Sequence, residues 1–129
     1  MELTVTASVL ARELGLMQGV VEKRTTHLIL GNVLLDAREG KLSLTATDLD
    51  TTFLSEIEGV AVKTPGAVTV PARKMYEFVR DLGESELKIK VLENHHIQLE
   101  CKEPKIRIRL NGLPATDFPT RPEASGGPP

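Results

Sequence analysis

The most constraining feature of this sequence is a pattern of secondary-structure signals that occurs twice. Each half opens with a short alternating strand, MELTV (1–5) in the first half and AVTVP (67–71) in the second. An amphipathic helix follows, and then three strand-like segments. Residue identity between the halves is too low for a sequence repeat, but both halves predict the order β-α-β-β-β. The fold must therefore contain this unit twice.

The spacing of apolar residues places the two helices. Residues from Ala7 to about Glu22, and from Ala72 to about Leu82, carry apolar side chains at helical intervals. Each helix should therefore bury one stripe of its surface. The expected stripes are Leu10, Leu14, Met17 and Val21 in the first helix, and Met75, Phe78, Val79 and Leu82 in the second.

Apolar or alternating segments predict the remaining strands. Turn signals at Glu39-Gly40 and Pro65-Gly66 separate some of them. Two helices against about eight strands predict an α+β domain in which both helices pack on one side of a mostly antiparallel sheet. The strand segments are residues 28–37, 42–47, 51–60, 87–92, 96–101 and 106–110.

Length and composition predict a single globular domain. The chain has 129 residues, of which 40% are hydrophobic and 26% charged, as in ordinary globular proteins. We expect this domain to cover residues 1–119. Residues 120–129 are rich in proline and glycine, so they predict a linker or flexible tail.

Charge and cysteine content limit which cellular compartment and which binding partners we expect for this chain. The net charge of −2 predicts no strong general attraction to nucleic acid, so such binding would require a local basic patch. Cys101 is the single cysteine; this excludes an internal disulfide and fits a reducing cytoplasm. The N-terminus does not resemble an export signal, and no apolar run approaches membrane-spanning length. We therefore expect a cytoplasmic protein without membrane association.

Both helices present basic side chains opposite their apolar stripes, where they could contact phosphates. The alternative is an ordinary solvated face, because Glu22 and Glu77 lie near these cations. Gly15 and Gly19 share the outward face of the first helix. The basic candidates are Arg12 and Lys23 on the first helix, Arg24 directly after it, and Arg73 and Arg80 on the second helix.

The segment KIRIRL (105–110) alternates strictly and predicts an edge strand, which the preceding Pro104 also favours. Its basic side chains could protect the edge against unwanted pairing. They could equally mark a docking edge, where a partner strand extends the sheet. Ile106, Ile108 and Leu110 should face one way, and Lys105, Arg107 and Arg109 the other.

The stretch TATDLDTTF (45–53) raises the alternative of a metal-dependent enzyme, since Asp48 and Asp50 should face the same way. A magnesium site would need further oxygen donors. The sequence contains neither a Gly-rich phosphate loop nor a GxSxG nucleophile motif. His95 and His96 fall in a predicted hairpin turn and indicate a surface pair. The residues therefore argue against catalysis, and no cofactor or metal is expected.

Four segments of the chain carry a resemblance: ILGNVLL (29–35), LSLTATDLDTTF (42–53), GAVTVPARKMYEFVRDL (66–82) and LNGLPATDFP (110–119). Together they resemble the first domain of the bacterial DNA polymerase III β subunit family, the replicative sliding clamps. The resemblance implies that the chain is one of three such domains in a protomer. Two protomers form a ring whose helices line a channel for duplex DNA, with the sheets on the outer rim. Such a protein is a non-catalytic processivity factor that binds DNA without sequence preference.

The resemblance also assigns residues to roles. Arg24 and Arg73 match basic positions that contact DNA on the pore side. The matching ring-closing edge pairs head to tail with the third domain of the other protomer. Its basic positions correspond to Lys74, Lys105 and Arg107, and its buried apolar pair to Ile108 and Leu110.

Two points of the resemblance bear on what this chain can do. The family commonly has a proline where Leu28 follows His27, which affects the shape expected for the Arg24 loop. DNA polymerase III and the clamp loader bind the family through its second and third domains, outside the region of resemblance. A stand-alone interaction module that pairs through the last strand remains the alternative. Without a partner, Ile108 and Leu110 should be exposed at that edge.

Overall fold

Two antiparallel sheets and two helices form the fold in the computed structural model, which describes residues 1–21, 31–47, 51–103 and 105–118. The helices are α1 (Ala7–Val21) and α2 (Ala72–Val79). The strands are β1 (Glu2–Thr6), β2 (Asn32–Arg38), β3 (Lys41–Thr47), β4 (Thr52–Glu58), β5 (Ala61–Thr64), β6 (Gly66–Pro71), β7 (Glu86–Val91), β8 (His96–Cys101), β9 (Ile106–Asn111) and β10 (Leu113–Pro114).

The two halves of the chain exchange their first strands. The first sheet has the order β5-β1-β7-β8-β9, and the second has the order β10-β6-β2-β3-β4. Thus β1 lies beside β7 in register from Glu2↔Lys90 to Thr6↔Glu86, while β6 lies beside β2 from Asn32↔Pro71 to Ala37↔Gly66. Each sheet therefore contains three consecutive strands of one half and the first strand of the other.

The structure confirms the α+β class and the order β-α-β-β-β in both halves. It differs in having two sheets rather than one, and ten strands in the described part of the chain. The predicted strand 51–60 ends at Glu58 because Gly59 has a φ of +72°. The chain then forms β5, which pairs with β1. Its counterpart in the second half is β10, which pairs with β6.

The helices bury most of the stripes that their apolar spacing predicts, and Phe78 of the second stripe packs against the core only partly buried. Leu10, Leu14 and Met17 of α1, and Met75 and Val79 of α2, belong to one continuous core with the inward side chains of both sheets. The helix α2 ends at Val79, three residues earlier than predicted. Leu82 is nevertheless buried, so burial continues past the helix. The Val21 side chain and the tail 120–129 lie outside the described residues.

Gly112 carries the chain from β9 in the first sheet to β10 in the second. A β-carbon at this position would lie 2.5 Å from the His95 carbonyl oxygen and 2.6 Å from the Thr69 carbonyl oxygen, and it would overlap Ile97 Cδ1. The Gly112 amide donates a hydrogen bond to His95 O at 3.0 Å. The crossing between the sheets thus depends on a close backbone approach that only glycine permits.

A buried pair of polar side chains fixes β10 beside that crossing. Asn32 Nδ2 donates to Thr69 Oγ1 at 3.0 Å, and Thr69 Oγ1 donates to the Leu113 carbonyl oxygen at 3.1 Å. Both side chains are buried, and a buried polar group that loses its partner is costly. This chain of hydrogen bonds therefore ties β2, β6 and β10 together.

We expect Gly112→Ala to destabilise the fold by about 1–3 kcal/mol, because the added methyl group meets two backbone oxygens that cannot rotate away. Gly31→Ala is the matched control, since a β-carbon added at Gly31 would meet no heavy atom of the described residues within 4 Å apart from its chain neighbours. The control should change the free energy of unfolding by no more than about 0.5 kcal/mol. Urea denaturation followed by circular dichroism measures both values. Equal midpoints for the two variants would contradict the close approach at Gly112.

Candidate nucleic-acid interface and sheet edges

The two helices lie side by side and form one continuous surface. At their contact, a β-carbon on Gly15 would lie 3.3 Å from Tyr76 Cε1. The apolar spacing predicted Gly15 opposite the buried stripe of α1, and in the structure α2 covers this position in part. Gly15 is partly buried, because the Tyr76 ring of α2 occupies the space in which a larger side chain would stand.

Arg12 and Arg73 are exposed on this surface, as predicted, and each has a carboxylate beside it. Arg12 Nε lies 3.3 Å from Glu13 Oε2, and the Arg12 side chain is 70% exposed. Arg73 Nε lies 3.3 Å from Glu77 Oε2, and its side chain is 69% exposed. Exposed ion pairs contribute between about 0 and 1 kcal/mol. A phosphate can therefore replace the carboxylate at modest cost.

Arg80 has an aromatic partner. Its guanidinium carbon lies 5.8 Å from the centroid of the Tyr76 ring, within the range of a cation–π interaction. The same ring packs against Gly15 of α1. Tyr76 thus connects the helix contact with the exposed cation, and the stacked guanidinium group keeps its charge accessible.

Glu13 is a part of this surface that sequence reasoning missed. Besides pairing with Arg12, it accepts a hydrogen bond from the Ser55 hydroxyl of β4. No sequence signal could have indicated this contact, because Glu13 and Ser55 are far apart in the chain and adjacent only in the fold. The predicted contribution of Glu77 is confirmed at Arg73. Lys23, Arg24, Asp48 and Asp50 lie outside the described residues, so their roles stay predictions.

The strand β9 is an edge of the first sheet, and its apolar side chains become more buried along the strand. Within the described ranges β9 pairs only with β8. Ile106 is 37% exposed, Ile108 packs partly buried against the core, and Leu110 is only 9% exposed. The expectation of an exposed Leu110 was wrong, because this residue lies opposite Ile97 in the core. The exposed apolar residue of the edge is Ile106.

The other face of β9 is basic, as the alternation predicts. Arg107 and Arg109 are exposed, and so is Lys105 just before the strand. Arg107 Nη1 lies 4.0 Å from Glu100 Oε2 on β8. Lys74 is also exposed, next to Arg73 on α2. The edge thus combines one exposed isoleucine with a basic outer face.

The strand β4 is the corresponding edge of the second sheet, and sequence reasoning did not single it out. Leu54 is 57% exposed, and Glu56 and Glu58 are exposed on the same face. The alternating sequence TFLSEIE could have indicated this acidic face, since every second residue from Thr52 to Glu58 points outward. This edge has an acidic outer face where β9 has a basic one.

A further charged groove lies on the first sheet. Glu2 on β1 lies in an open groove and pairs with Lys88 at 3.2 Å and Lys63 at 3.9 Å. The hydrogen bond from Lys88, aided by nearby lysine charges, lowers the pKa of Glu2. Among the residues with described positions, no cluster of three or more His, Cys, Asp or Glu side chains could hold a metal ion. No described helix is long and apolar enough to cross a membrane.

Known proteins resemble this chain in both sequence and structure. The family described as DNA polymerase III beta subunit, N-terminal domain, matches residues 1–122. The Beta sliding clamp of Pseudomonas putida is 39% identical over 127 residues, covering 98% of this chain and 34% of the relative. The Beta sliding clamp of Escherichia coli K12 is 38% identical over 119 residues, covering 92% of this chain and 32% of the relative. The chain thus spans about a third of the length of these relatives.

Solved structures show the same fold. The DNA polymerase sliding clamp from Caulobacter crescentus superposes with a TM-score of 0.86 at 35% identity, covering 96% of this chain and 33% of that one. The DNA polymerase III subunit beta from Pseudomonas aeruginosa gives a TM-score of 0.86 at 36% identity, with coverages of 98% and 34%. This chain belongs to the DNA polymerase III beta subunit family and corresponds to the N-terminal domain of its members.

Proposed function

We propose that this chain serves as the first domain of a ring-shaped sliding clamp that encircles duplex DNA and gives DNA polymerase III its processivity. The observation that carries the proposal is the exposed arginine surface on the two adjacent helices, in a chain whose net charge is −2. The names of its relatives support it. The role is that of a non-catalytic, cytoplasmic subunit without a cofactor.

The local carboxylates explain how this surface suits a sliding contact. Arginine side chains that contact phosphates position a protein on DNA without reading the sequence. Glu13 and Glu77 compete with phosphate for Arg12 and Arg73, so each contact is weak. A closed ring holds DNA by topology, and weak contacts then allow movement along the duplex. Lys23 and Arg24 would extend the same surface in this proposal.

Ring closure in the proposal uses the β9 edge. Its basic residues, with Lys74 of α2, would face acidic groups of the third domain of a second protomer in a head-to-tail homodimer. Ile106 and Ile108 supply the apolar contact, and Leu110 supports them from the core. The polymerase and the clamp loader would bind parts of the full protein outside this domain. The second candidate function is that of a stand-alone interaction module, which would bind a partner strand at the β9 edge. The exposed Ile106 on this edge favours that function.

We expect this chain to bind duplex DNA weakly and with strong salt dependence, and the combined variant Arg12→Ala, Arg73→Ala and Arg80→Ala to reduce both the affinity and the salt slope. Each lost phosphate contact should lower the slope of log K against log salt by about 0.9. Fluorescence anisotropy with a labelled duplex between about 50 and 200 mM salt measures this effect.

The matched control for DNA binding removes three positive charges from the outer face of the first sheet, which points away from the core. It combines Lys63→Ala, Lys88→Ala and Lys90→Ala, all exposed positions. The control should retain the salt slope of the wild-type chain. Equal losses in the helix variant and the control would mean that net charge, rather than the helix surface, accounts for the binding.

We expect Leu110→Ala to destabilise this chain by about 2–5 kcal/mol, because Leu110 is buried in the core of the domain. Ile106→Ala, on the same face of the same strand, should cost about 1 kcal/mol or less, since Ile106 is more exposed. Urea denaturation of both variants gives the comparison. Similar stabilities would show that Leu110 belongs to the docking edge rather than to the core.

A further inference from the structure

The Tyr76 ring is held by the fold at the contact of the two helices. It packs partly buried against the core. Its hydroxyl end lies over Gly15 of α1, where an added β-carbon would lie 3.3 Å from Tyr76 Cε1 and 3.5 Å from the hydroxyl oxygen. The ring therefore fills a space that exists because residue 15 has no side chain. Its position is fixed by both helices rather than by α2 alone.

Arg80 stands where α2 ends, so the helix alone does not fix the direction of its side chain. The helix ends at Val79, and Arg80 is its C-cap residue. The chain turns shortly afterwards at Gly83, which has a φ of +65°. Because no further helical turn follows, the side chain of Arg80 has neighbours only on the preceding turn. Helical side chains lean in that direction, toward the residue four positions earlier.

Tyr76 is that residue, and it contacts Arg80 in two ways. The Arg80 amide donates a hydrogen bond to the Tyr76 carbonyl oxygen at 3.0 Å. The Arg80 guanidinium carbon lies over the Tyr76 ring, 5.8 Å from its centroid. The first contact fixes the backbone of the exposed arginine, and the second favours one direction of its side chain. The ring thus transfers the rigidity of the helix contact to a cation on the surface.

The contact with the ring differs in kind from the contacts of the other two arginines. Arg12 Nε and Arg73 Nε each lie 3.3 Å from a carboxylate oxygen, which a phosphate must displace. A guanidinium group over an aromatic face uses none of its N–H donors for that contact, so all of them remain able to donate to phosphate oxygens. Tyr76 can therefore hold Arg80 in place without competing with a ligand.

We propose that Tyr76 is a positioning residue for the contact of Arg80 with the DNA backbone. This inference rests on the proposed function and deepens it, because it names the group that directs one of the cations of the helix surface. Tyr76 contributes no charge and acts through Arg80. An arginine side chain that is already held near its bound direction loses less freedom on binding.

A double-mutant cycle of Tyr76→Leu and Arg80→Ala tests the inference, with fluorescence anisotropy of a labelled duplex as the measurement. Tyr76→Leu should weaken binding by about two- to fivefold, the factor by which an exposed cation–π contact favours the stacked conformer. It should also lower the salt slope toward that of Arg80→Ala, although it removes no charge. In the Arg80→Ala background, Tyr76→Leu should change neither quantity.

Two matched variants separate positioning from packing. The conservative variant Tyr76→Phe retains the ring and should retain both the affinity and the salt slope of the wild type. Phe78→Leu removes another partly buried ring of α2. It should lower the free energy of unfolding and leave the salt slope unchanged. Circular dichroism during urea denaturation measures the stability of each variant and checks that it is folded.

Nuclear magnetic resonance of the free chain observes the contact without DNA. The ring current of residue 76 should shift the side-chain proton resonances of Arg80 in the wild type and in Tyr76→Phe. The shift should be absent in Tyr76→Leu. Identical Arg80 resonances in all three proteins would overturn the inference before any DNA is added.

The binding data can overturn the inference in three ways. Tyr76→Leu would bind with the affinity and salt slope of the wild type, or it would cause the same loss with and without Arg80, or Arg80→Ala itself would bind like the wild type. The variant Arg12→Ala with Arg73→Ala distinguishes these failures from failure of the proposed function. If this variant weakens binding, the helix surface contacts DNA without help from Tyr76. If none of the arginine variants changes binding, the proposed DNA contact itself is wrong.

Discussion

The exchange of first strands between the two halves is the constraint on which the rest of the structure depends. Because β1 completes the sheet of the second half and β6 completes that of the first, neither half can form its sheet alone. Each helix follows directly after an exchanged strand, at Ala7 and Ala72. The exchange therefore brings α1 and α2 together at the contact of Gly15 with Tyr76. It also places β9 at the end of the first sheet opposite β5, and β4 at the end of the second sheet opposite β10.

The sequence predicted which side chains of each helix and strand are buried. It did not predict which strands lie next to each other in the sheets. Alternation reports which face of a strand is buried, so β7, β8 and β9 were predicted nearly to the residue. It carries no information on which strand lies alongside, and the two sheets were therefore predicted as one. The short strands β5 and β10 lack the apolar runs that indicate a strand. The overlong prediction for α2 arose because Leu82 is buried beyond the helix end.

In the candidate site, too, contacts within one helix could be predicted from the sequence, and contacts between elements could not. The exposed arginines and the neighbouring Glu77 were predictable, since helical spacing determines which side chains share a face. The contact of Glu13 with Ser55 was not, because it joins α1 to a strand of the second sheet. Leu110 was assigned to the same face as Ile106, which is correct. However, the period of a strand cannot show that burial increases toward Gly112, where the two sheets meet.

Charge distinguishes surfaces that the fold makes nearly equivalent. The two halves have the same order of elements, so a chain with uniform charge would present two similar edges, open to symmetric pairing. Glutamates on β4 and arginines on β9 remove this equivalence and give the domain a direction from one edge to the other. The arginines of the helices, balanced in part by Glu13 and Glu77, form a third charged surface. A net charge of −2 is therefore a poor guide to partners, because the separate surfaces, rather than their sum, determine what each of them can bind.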